Sequence, residues 1–300
     1  MSFPRTLVAG ALVIAAAAQP AASQRPLKVY ISVDMEGVGG VVTSDQLGPA
    51  GFEYARARQW MTDEALAAIQ GARDAGATSI LVSDSHGNGQ NLLIEQLPFD
   101  VTVIRSWPRP LMMMEGIDST FTAAVFVGYH ASTSNVTGVR AHTMSSATLT
   151  SVKLNGTEVP EGGMNAAIAG HFGVPVVAVT GDDAAVAEVR QFTGPIEGAV
   201  VKRAISFHSA ATMTPKAAQE LIRARVKAGV ERRASAKPHV LPGPVTLEMS
   251  FKNYRAAELL AYLPIVTRVN AHTIRFTGKN IVEVSRFIEF VNSYQPDIIP

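Results

Sequence analysis

The sequence lacks cysteine altogether, and that absence excludes three kinds of site. Disulfide bridges, thiolate metal centres and cysteine nucleophiles all need a sulfur that this chain does not have. The chain also has no large surplus of one charge, since it contains 26 basic and 25 acidic residues. A strongly basic nucleic-acid binder is therefore excluded as a first interpretation. The 24 glycines and 17 prolines show no short period, which excludes collagen-like and low-complexity chains.

Apolar residues, by contrast, are abundant. They make up 47% of the 300 residues, against 17% charged residues, so the chain has ample material for a packed core and is not of the disordered class. The length suits one large domain or two modest ones.

The first 23 residues have the pattern of a sorting signal. Arg5 precedes an apolar run over 7–18, and small residues follow up to Ser23. The run is short for a membrane span, so we predict a signal peptide (1–23) cleaved after Ser23, with an uncleaved membrane anchor as the alternative. Loss of Arg5 would leave equal numbers of basic and acidic residues. We expect a periplasmic or secreted protein, with no membrane anchor after cleavage and no nucleic-acid partner.

Short apolar runs alternate with helical patterns over the next two hundred residues. This alternation predicts an α/β fold with a mainly parallel sheet sandwiched by helices. The predicted strands are 28–33, 79–83, 101–104, 123–127, 174–179 and 199–202, and the predicted helices are 52–75, 163–172, 184–192 and 215–229.

Two segments depart from that alternation. Strand-like runs flank Asn155-Gly156, which predicts a β-hairpin over 148–159. Charged residues and prolines over 231–244 predict a linker, and the remainder predicts strand, helix, strand, helix over 245–251, 253–262, 273–276 and 280–294. The predicted organisation is therefore an α/β domain over 27–230 that carries the metal site, the linker 231–244, and a smaller C-terminal α+β subdomain over 245–300.

Potential metal ligands follow four of the predicted strands. Asp34 and Glu36 follow the first strand, His86 the second and His130 the fourth, while an Asp pair at 182–183 follows the fifth. Because ligands bind beyond the carboxyl ends of parallel strands, we expect these side chains to meet at one edge of the sheet. Carboxylates and imidazoles suit Zn²⁺. Each residue alone also fits a structural role, as a solvated loop acid or a core histidine.

Several nearby residues have expected roles beside these candidates. Glu161 precedes a predicted helix, where it could also be an acid that complements the helix dipole, and His142 follows His130 by twelve positions. Ser85 and Asn88 are predicted to orient ligands. Further expectations are a helix cap at 182–183, with a ligand-orienting role as the alternative, and a substrate carboxylate held by Arg140. The methionines at 112–114 are expected in the core, with the lining of a pocket as the alternative.

Taken in order, these motifs resemble the zinc-dependent D-aminopeptidases of the dipeptide-transport-operon type. The resemblance runs from about residue 28 into the C-terminal segment. It is carried by Ser32-x-Asp34-x-Glu36-Gly37, Asp84-Ser85-His86, Gly128-Tyr129-His130-Ala131, His142-Thr143-Met144 and Glu161-x-Gly163-x-Asn165-Ala166.

The resemblance implies an activity and a set of site residues. It implies removal of N-terminal D-residues, D-alanine among them, from short peptides, and a homodecamer that encloses its active sites. It also implies a catalytic role for His142 and two Zn²⁺ ions per subunit. The implied ligands are Asp34, Glu36, His86, His130 and Glu161. The chain departs from the family pattern by its export signal, by one extra residue between His130 and His142, and by Ser83 in place of asparagine.

The same residues support a chemical hypothesis. A metal-bound hydroxide would attack the peptide carbonyl, with Asp34 bridging the metals because it lies deepest at its strand end. His142 would serve as general acid–base or as an oxyanion partner.

The same motifs bear on other possible functions. A dinucleotide loop is disfavoured because Val42 stands where the third glycine belongs, and neither a serine-hydrolase elbow nor an H-E-x-x-H helix occurs. Another two-metal hydrolase (an amidase or a phosphatase) remains open, as does an exported, non-catalytic dipeptide-binding protein.

Overall fold

The computed structural model of the protein describes residues 1–3 and 26–294. The predicted signal peptide therefore lies, apart from its first three residues, outside the described residues. Across the described ranges, no helix has both the length and the apolar character needed to cross a membrane.

The described part of the chain contains twelve strands and six α-helices. The strands are β1 (Lys28–Val33), β2 (Ser79–Asp84), β3 (Thr102–Ile104), β4 (Ala123–Tyr129), β5 (Leu149–Leu154), β6 (Thr157–Glu158), β7 (Val176–Asp182), β8 (Glu197–Ser206), β9 (Ser209–Thr212), β10 (Val245–Phe251), β11 (Val266–Arg268) and β12 (Thr273–Gly278). The helices are α1 (Tyr54–Asp74), α2 (Glu161–His171), α3 (Asp183–Thr193), α4 (Pro215–Glu231), α5 (Tyr254–Leu260) and α6 (Ile281–Ser293).

The larger sheet confirms the predicted α/β class. Its strand order is β3-β2-β1-β4-β7-β8-β9, and every neighbouring pair is parallel except β8 and β9. Alternation along β1 distributes side chains to the two faces of this sheet. Val29 and Ile31 pack in the cluster that contains α1 and α4, while Tyr30 packs in the cluster that contains α2 and the second sheet. The sheet is thus covered on both faces, as expected for parallel strands.

The smaller sheet is antiparallel, with the order β11-β12-β10-β5-β6. The predicted hairpin at Asn155-Gly156 is confirmed as β5 and β6, with φ of 49° and 80° at its two turn residues, as a type I′ turn requires. Strand β10 pairs with β5, so this sheet combines the hairpin with the C-terminal strands. The domain boundaries drawn at 231–244 stay a prediction.

A few elements differ from their predicted positions. Helix α2 begins at Glu161, two residues earlier than predicted, because Pro160 takes an extended conformation at its N-cap. Strands β9 and β11 were not predicted, since each is three or four residues long and forms only by pairing with a longer neighbour.

Candidate metal centre

The carboxyl ends of β1, β2 and β4 place three of the candidate ligands together. These strands are adjacent and parallel, so the loops that follow them leave the same edge of the sheet. The backbone N–H of Asp34 donates to the Val127 carbonyl at 2.8 Å, and that of Ser85 donates to the Val33 carbonyl at 2.8 Å. The loops bearing Asp34, His86 and His130 are therefore tied to one another where the strands end.

His142 and Glu161 reach the same point from the segment between β4 and α2. The backbone N–H of His142 donates to the Ala131 carbonyl at 3.0 Å, which folds this loop back onto the end of β4. Glu161 is the first residue of α2, and its carboxylate accepts from the Met144 N–H at 2.7 Å. All six predicted site residues are buried, with His142 the most accessible at 9%.

The six side chains form two clusters that Asp34 connects. One cluster consists of Asp34, Glu36 and His86, and the other of His130, His142 and Glu161. One oxygen of Asp34, Oδ1, lies 3.3 Å from His86 Nδ1, and the other, Oδ2, lies 3.3 Å from His130 Nε2. Glu36 Oε2 is 2.8 Å from His86 Nδ1, and Glu161 Oε2 is 3.4 Å from His130 Nε2. The structure thus brings together every predicted site residue; their individual roles stay predictions.

Two buried polar atoms at the junction of the clusters have no hydrogen-bond partner. They are Asp34 Oδ2 and His130 Nε2, which face each other. An unsatisfied buried polar group costs about 1–3 kcal/mol, so a native site rarely keeps one without reason. A divalent cation bound by both atoms would satisfy them. Because the surrounding donors are carboxylate oxygens and imidazole nitrogens, the residues fit Zn²⁺.

The three histidine rings are held by backbone carbonyls on the side away from the centre. In each ring one nitrogen meets a carbonyl oxygen, which directs the other nitrogen toward the carboxylates. His86 uses Nε2 for this contact, whereas His130 and His142 use Nδ1. The acceptors are the carbonyl oxygens of Leu47 at 2.8 Å, Ala131 at 3.0 Å and Arg140 at 2.8 Å.

The electrostatics of the centre favour positive charge. Burial, together with the charge of Glu36, raises the pKa of Asp34 to about 7. Burial works against the charged form of His130, but Glu161 and Asp34 outweigh it and raise the pKa of His130 to about 10. Asp34 and His130 therefore retain protons that a bound cation would displace. Burial and the neighbouring His130 lower the pKa of His142, so this imidazole is neutral at pH 7.

Two buried residues outside the predicted set hold the loop after β1. Lys202 of β8 donates through Nζ to the carbonyl oxygens of Glu36, Val38 and Val41, with Val38 at 3.0 Å. Glu64 of α1 accepts from the Gly39 N–H at 2.8 Å. The sequence indicates a special role for Lys202 only by placing a lysine inside an apolar strand. It does not indicate which carbonyl oxygens this lysine contacts, since they lie more than 160 positions away.

The prediction for Asn88 is wrong, and Asn91 takes the role expected of it. Asn88 is exposed, and its side chain accepts from the Gln90 N–H. Asn91 instead donates to Asp84 Oδ1 at 2.8 Å and to the His86 carbonyl at 2.6 Å, which positions the loop that carries His86. Ser85 borders the cleft.

The remaining expectations have mixed outcomes. Arg140 lies over the ring of Phe207 and does not line the cleft, so the prediction that it holds a substrate carboxylate gains no support. Asp182 is the N-cap of α3 as predicted, and its second oxygen accepts from the Val139 N–H at 2.7 Å. The methionines at 112–114 are buried in the core as predicted, and Met113 also lines the cleft.

The centre forms the floor of a cleft of about 390 Å³. Trp107, Met144, Ser145 and Asn292 are among the residues that line it above the six candidate site residues. A cleft that ends on buried carboxylates and imidazoles can bind metal ions and present a polar substrate to them.

The fold and this site together are typical of metal-dependent hydrolases, with ligands gathered at the carboxyl edge of a parallel sheet. Residues 27–290 match the peptidase M55 family model, described as D-aminopeptidase, and the chain belongs to this family. It is 34% identical over 258 residues to a D-aminopeptidase of Bacillus subtilis strain 168, which covers 86% of this chain and 93% of that protein.

A solved structure supports the same relationship. It is the Zn-dependent D-aminopeptidase DppA from Bacillus subtilis, described as a self-compartmentalizing protease. The TM-score is 0.85 at 31% identity, and the alignment covers 91% of this chain and 100% of that one. The predicted family and the α/β fold are thus confirmed, and both relatives are D-aminopeptidases, the solved one Zn-dependent.

Proposed function

We propose that this protein is an exported, two-zinc aminopeptidase that removes the N-terminal D-residue from short peptides such as D-Ala-D-Ala. The observation that carries the proposal is the Asp34 carboxylate, whose two oxygens each lie 3.3 Å from the ligand nitrogen of a different cluster. A carboxylate placed in this way suits a bridge between two metal ions. Membership of the D-aminopeptidase family supports the choice of substrate.

The proposed ligand set divides between the two ions. Asp34, Glu36 and His86 would hold one ion, while Asp34, His130 and Glu161 would hold the other. The three carboxylates offset most of the charge of two Zn²⁺ ions, which makes a buried centre electrostatically tolerable. When bound, zinc supplies Lewis acidity toward the peptide carbonyl and lowers the pKa of water.

His142 is placed to move protons beside these ligands. Its Nε2 lies 3.9 Å from Glu161 Oε1 and 4.0 Å from Glu36 Oε1, and its Nδ1 is fixed on the Arg140 carbonyl. Hydrolysis adds the oxygen of water to the carbonyl carbon, breaks the C–N bond and requires a proton on the leaving amine. A neutral imidazole at this position can take a proton from water through Nε2 and deliver it to that nitrogen.

Export and ring assembly complete the proposal. Export is supported by the signal-peptide pattern of 1–23. Assembly into a homodecamer that encloses its sites is supported by the description of the solved relative as self-compartmentalizing. Light scattering on the purified protein tests the assembly, and a mass of one or two subunits would contradict it.

Zinc analysis combined with a stereoisomer panel tests the activity. The metal-loaded protein is incubated with D-Ala-D-Ala, L-Ala-L-Ala and p-nitrophenyl phosphate, with and without a chelator. We expect two zinc ions per chain and release of D-alanine that stops with the chelator and returns with zinc. Phosphate-ester hydrolysis without D-alanine release would support another two-metal hydrolase, and tight dipeptide binding without turnover would support a binding protein.

A further inference from the structure

A second cavity, of about 640 Å³, lies beside the metal cleft. We call it the apolar chamber. It is enclosed by the loop before β5, the end of β10 and the helices α5 and α6. The residues that line it are Met144, Ser145, Thr148, Phe251, Ala256, Leu259, Leu260, Leu263, Phe290, Val291, Asn292 and Tyr294.

The chamber and the metal cleft are adjacent. Met144, Ser145 and Asn292 line both cavities, so the boundary between them is shared. A ligand whose reacting group lies on the floor of the cleft can extend past these residues into the chamber.

The lining of the chamber selects for apolar groups. None of the described residues that line it is charged, and most of their surface belongs to aliphatic and aromatic side chains. Several of these side chains are accessible, including Leu259 at 50% and Phe290 at 41%. Large apolar side chains left open beside a substrate cleft favour a ligand that covers them, because each Å² removed from water contributes about 25 cal/mol.

We propose that the apolar chamber binds the side chain of the second residue of the substrate, so that the enzyme prefers peptides with a large apolar residue after the N-terminal D-residue. This proposal rests on the aminopeptidase function proposed above. An enzyme that releases a single N-terminal residue needs that residue at the closed end of its cleft, where the candidate ligands lie 1–6% exposed. The rest of the peptide must then lead away from this end, and the chamber lies beside the cleft, with Tyr294, one of its lining residues, 60% exposed.

Three dipeptides distinguish the effect of a large side chain at the first residue of the substrate from its effect at the second residue. D-Ala-Gly reports the basic activity, D-Ala-D-Phe places a large side chain after the scissile bond, and D-Phe-D-Ala places it before that bond. We expect kcat/KM for D-Ala-D-Phe to exceed that for D-Ala-Gly by about tenfold or more, mainly through KM. Preference for D-Phe-D-Ala over D-Ala-D-Phe would overturn the assignment of the chamber to the second residue.

A chamber-filling substitution tests the location. Ala256→Phe places a ring in the chamber, and Ala261→Phe makes the same change just after α5 at a residue that does not line it. We expect Ala256→Phe to lower kcat/KM for D-Ala-D-Phe about tenfold and to leave D-Ala-Gly within about twofold, while Ala261→Phe changes neither. Leu263→Asn, a smaller change in the lining, should show the same selective loss.

Two outcomes would overturn this proposal in different ways. Equal losses on both substrates would assign the chamber to packing between copies of the chain. So would a changed mass of the oligomer without a changed preference between the two substrates. Absence of D-Ala-Gly hydrolysis by the zinc-loaded wild-type protein would instead refute the aminopeptidase function, and the chamber proposal with it.

Discussion

A single carboxylate, that of Asp34, joins the two halves of the candidate metal centre. Its oxygens face His86 and His130, which come from different strands and lie 44 positions apart in the chain. Burial and the negative charge of Glu36 raise the pKa of this carboxyl to about 7. A buried carboxylate of this kind is costly by itself and becomes favourable when cations neutralise the cluster, which couples metal binding to the stability of the fold.

Substitution of His142 separates its predicted catalytic role from a role as a ligand. We expect His142→Ala to retain two zinc ions and to lower kcat on D-Ala-D-Ala by about 10²–10⁴-fold, because proton transfer loses its positioned imidazole. The exposed His171 provides the matched control, and His171→Ala should keep full activity. Loss of a zinc ion from His142→Ala would identify this residue as a ligand, consistent with its place beside His130 and Glu161.

Buried Glu64 should make stability depend on pH. Burial raises its pKa from 4.5 to about 7, against the opposing effect of the Gly39 N–H. Between these values the native state keeps a proton that the unfolded chain has lost, so stability falls as pH rises from 4.5 to 7.

Glu64→Gln should remove this fall. Its stability relative to wild type should increase with pH, by about 1–3 kcal/mol above pH 7. Urea denaturation at pH 5 and pH 8 measures the difference, with the exposed Glu220→Gln as control. An identical pH dependence in Glu64→Gln and wild type would contradict the prediction.

Among the structural elements, the loop after β1 packs closely against the end of β4. The Gly37 N–H donates to the Gly128 carbonyl at 2.7 Å, and a Cβ at Gly37 would lie 2.0 Å from the Tyr129 carbonyl oxygen. No side chain fits between these backbones. The close approach keeps Asp34 and Glu36 within reach of His130.

Gly37→Ala should therefore damage both stability and metal binding. We expect a loss of about 1–3 kcal/mol, because the loop and the strand end must separate to admit the methyl group, and a zinc content below two per chain. Urea denaturation and metal analysis measure the two effects. Gly48→Ala is the matched control, since no atom lies within 4 Å of its added Cβ, and it should resemble wild type. Full zinc content in Gly37→Ala would show that the loop and the strand end tolerate separation.

At the scale of the whole molecule, the two sheets share one hydrophobic core. Val152 of β5, Met249 of β10 and Phe126 of β4 belong to the same buried cluster, although they come from both sheets and both sides of the predicted linker. The helix α6 also contacts this cluster through Phe287 and Ile288. The C-terminal segment thus supports the same core on which the metal cleft rests.

Removal of that segment tests the predicted domain boundary. A chain of residues 24–244 would leave β5 without its partner β10 and would expose Leu149, Val152 and Leu154. We expect this chain to lose the cooperative thermal transition of residues 24–300 and to bind no zinc, because a truncated core cannot offset the cost of ordering the chain. Cooperative unfolding of the shorter chain would establish 27–230 as an independent domain.

Local patterns predicted most of the elements and the chemistry of the site. The apolar run 28–33 became β1 with the same bounds, and the Asn155-Gly156 turn formed the expected hairpin. These signals are local, since alternation and turn conformation depend on a few neighbouring residues. Parallel strands present their carboxyl ends at one edge of a sheet, and this rule predicted the convergence of Asp34, His86 and His130.

Contacts between distant segments could not be predicted in this way. Lys202 holds the loop after β1, Asn91 replaces Asn88 in the loop of His86, and β10 completes the sheet begun by β5. The sequence specified which groups this protein would use, because residue type and local periodicity carry chemistry and secondary structure. Tertiary packing decided which backbone carbonyls, carboxylates and apolar walls those groups meet, because such contacts depend on the registration of whole elements in space.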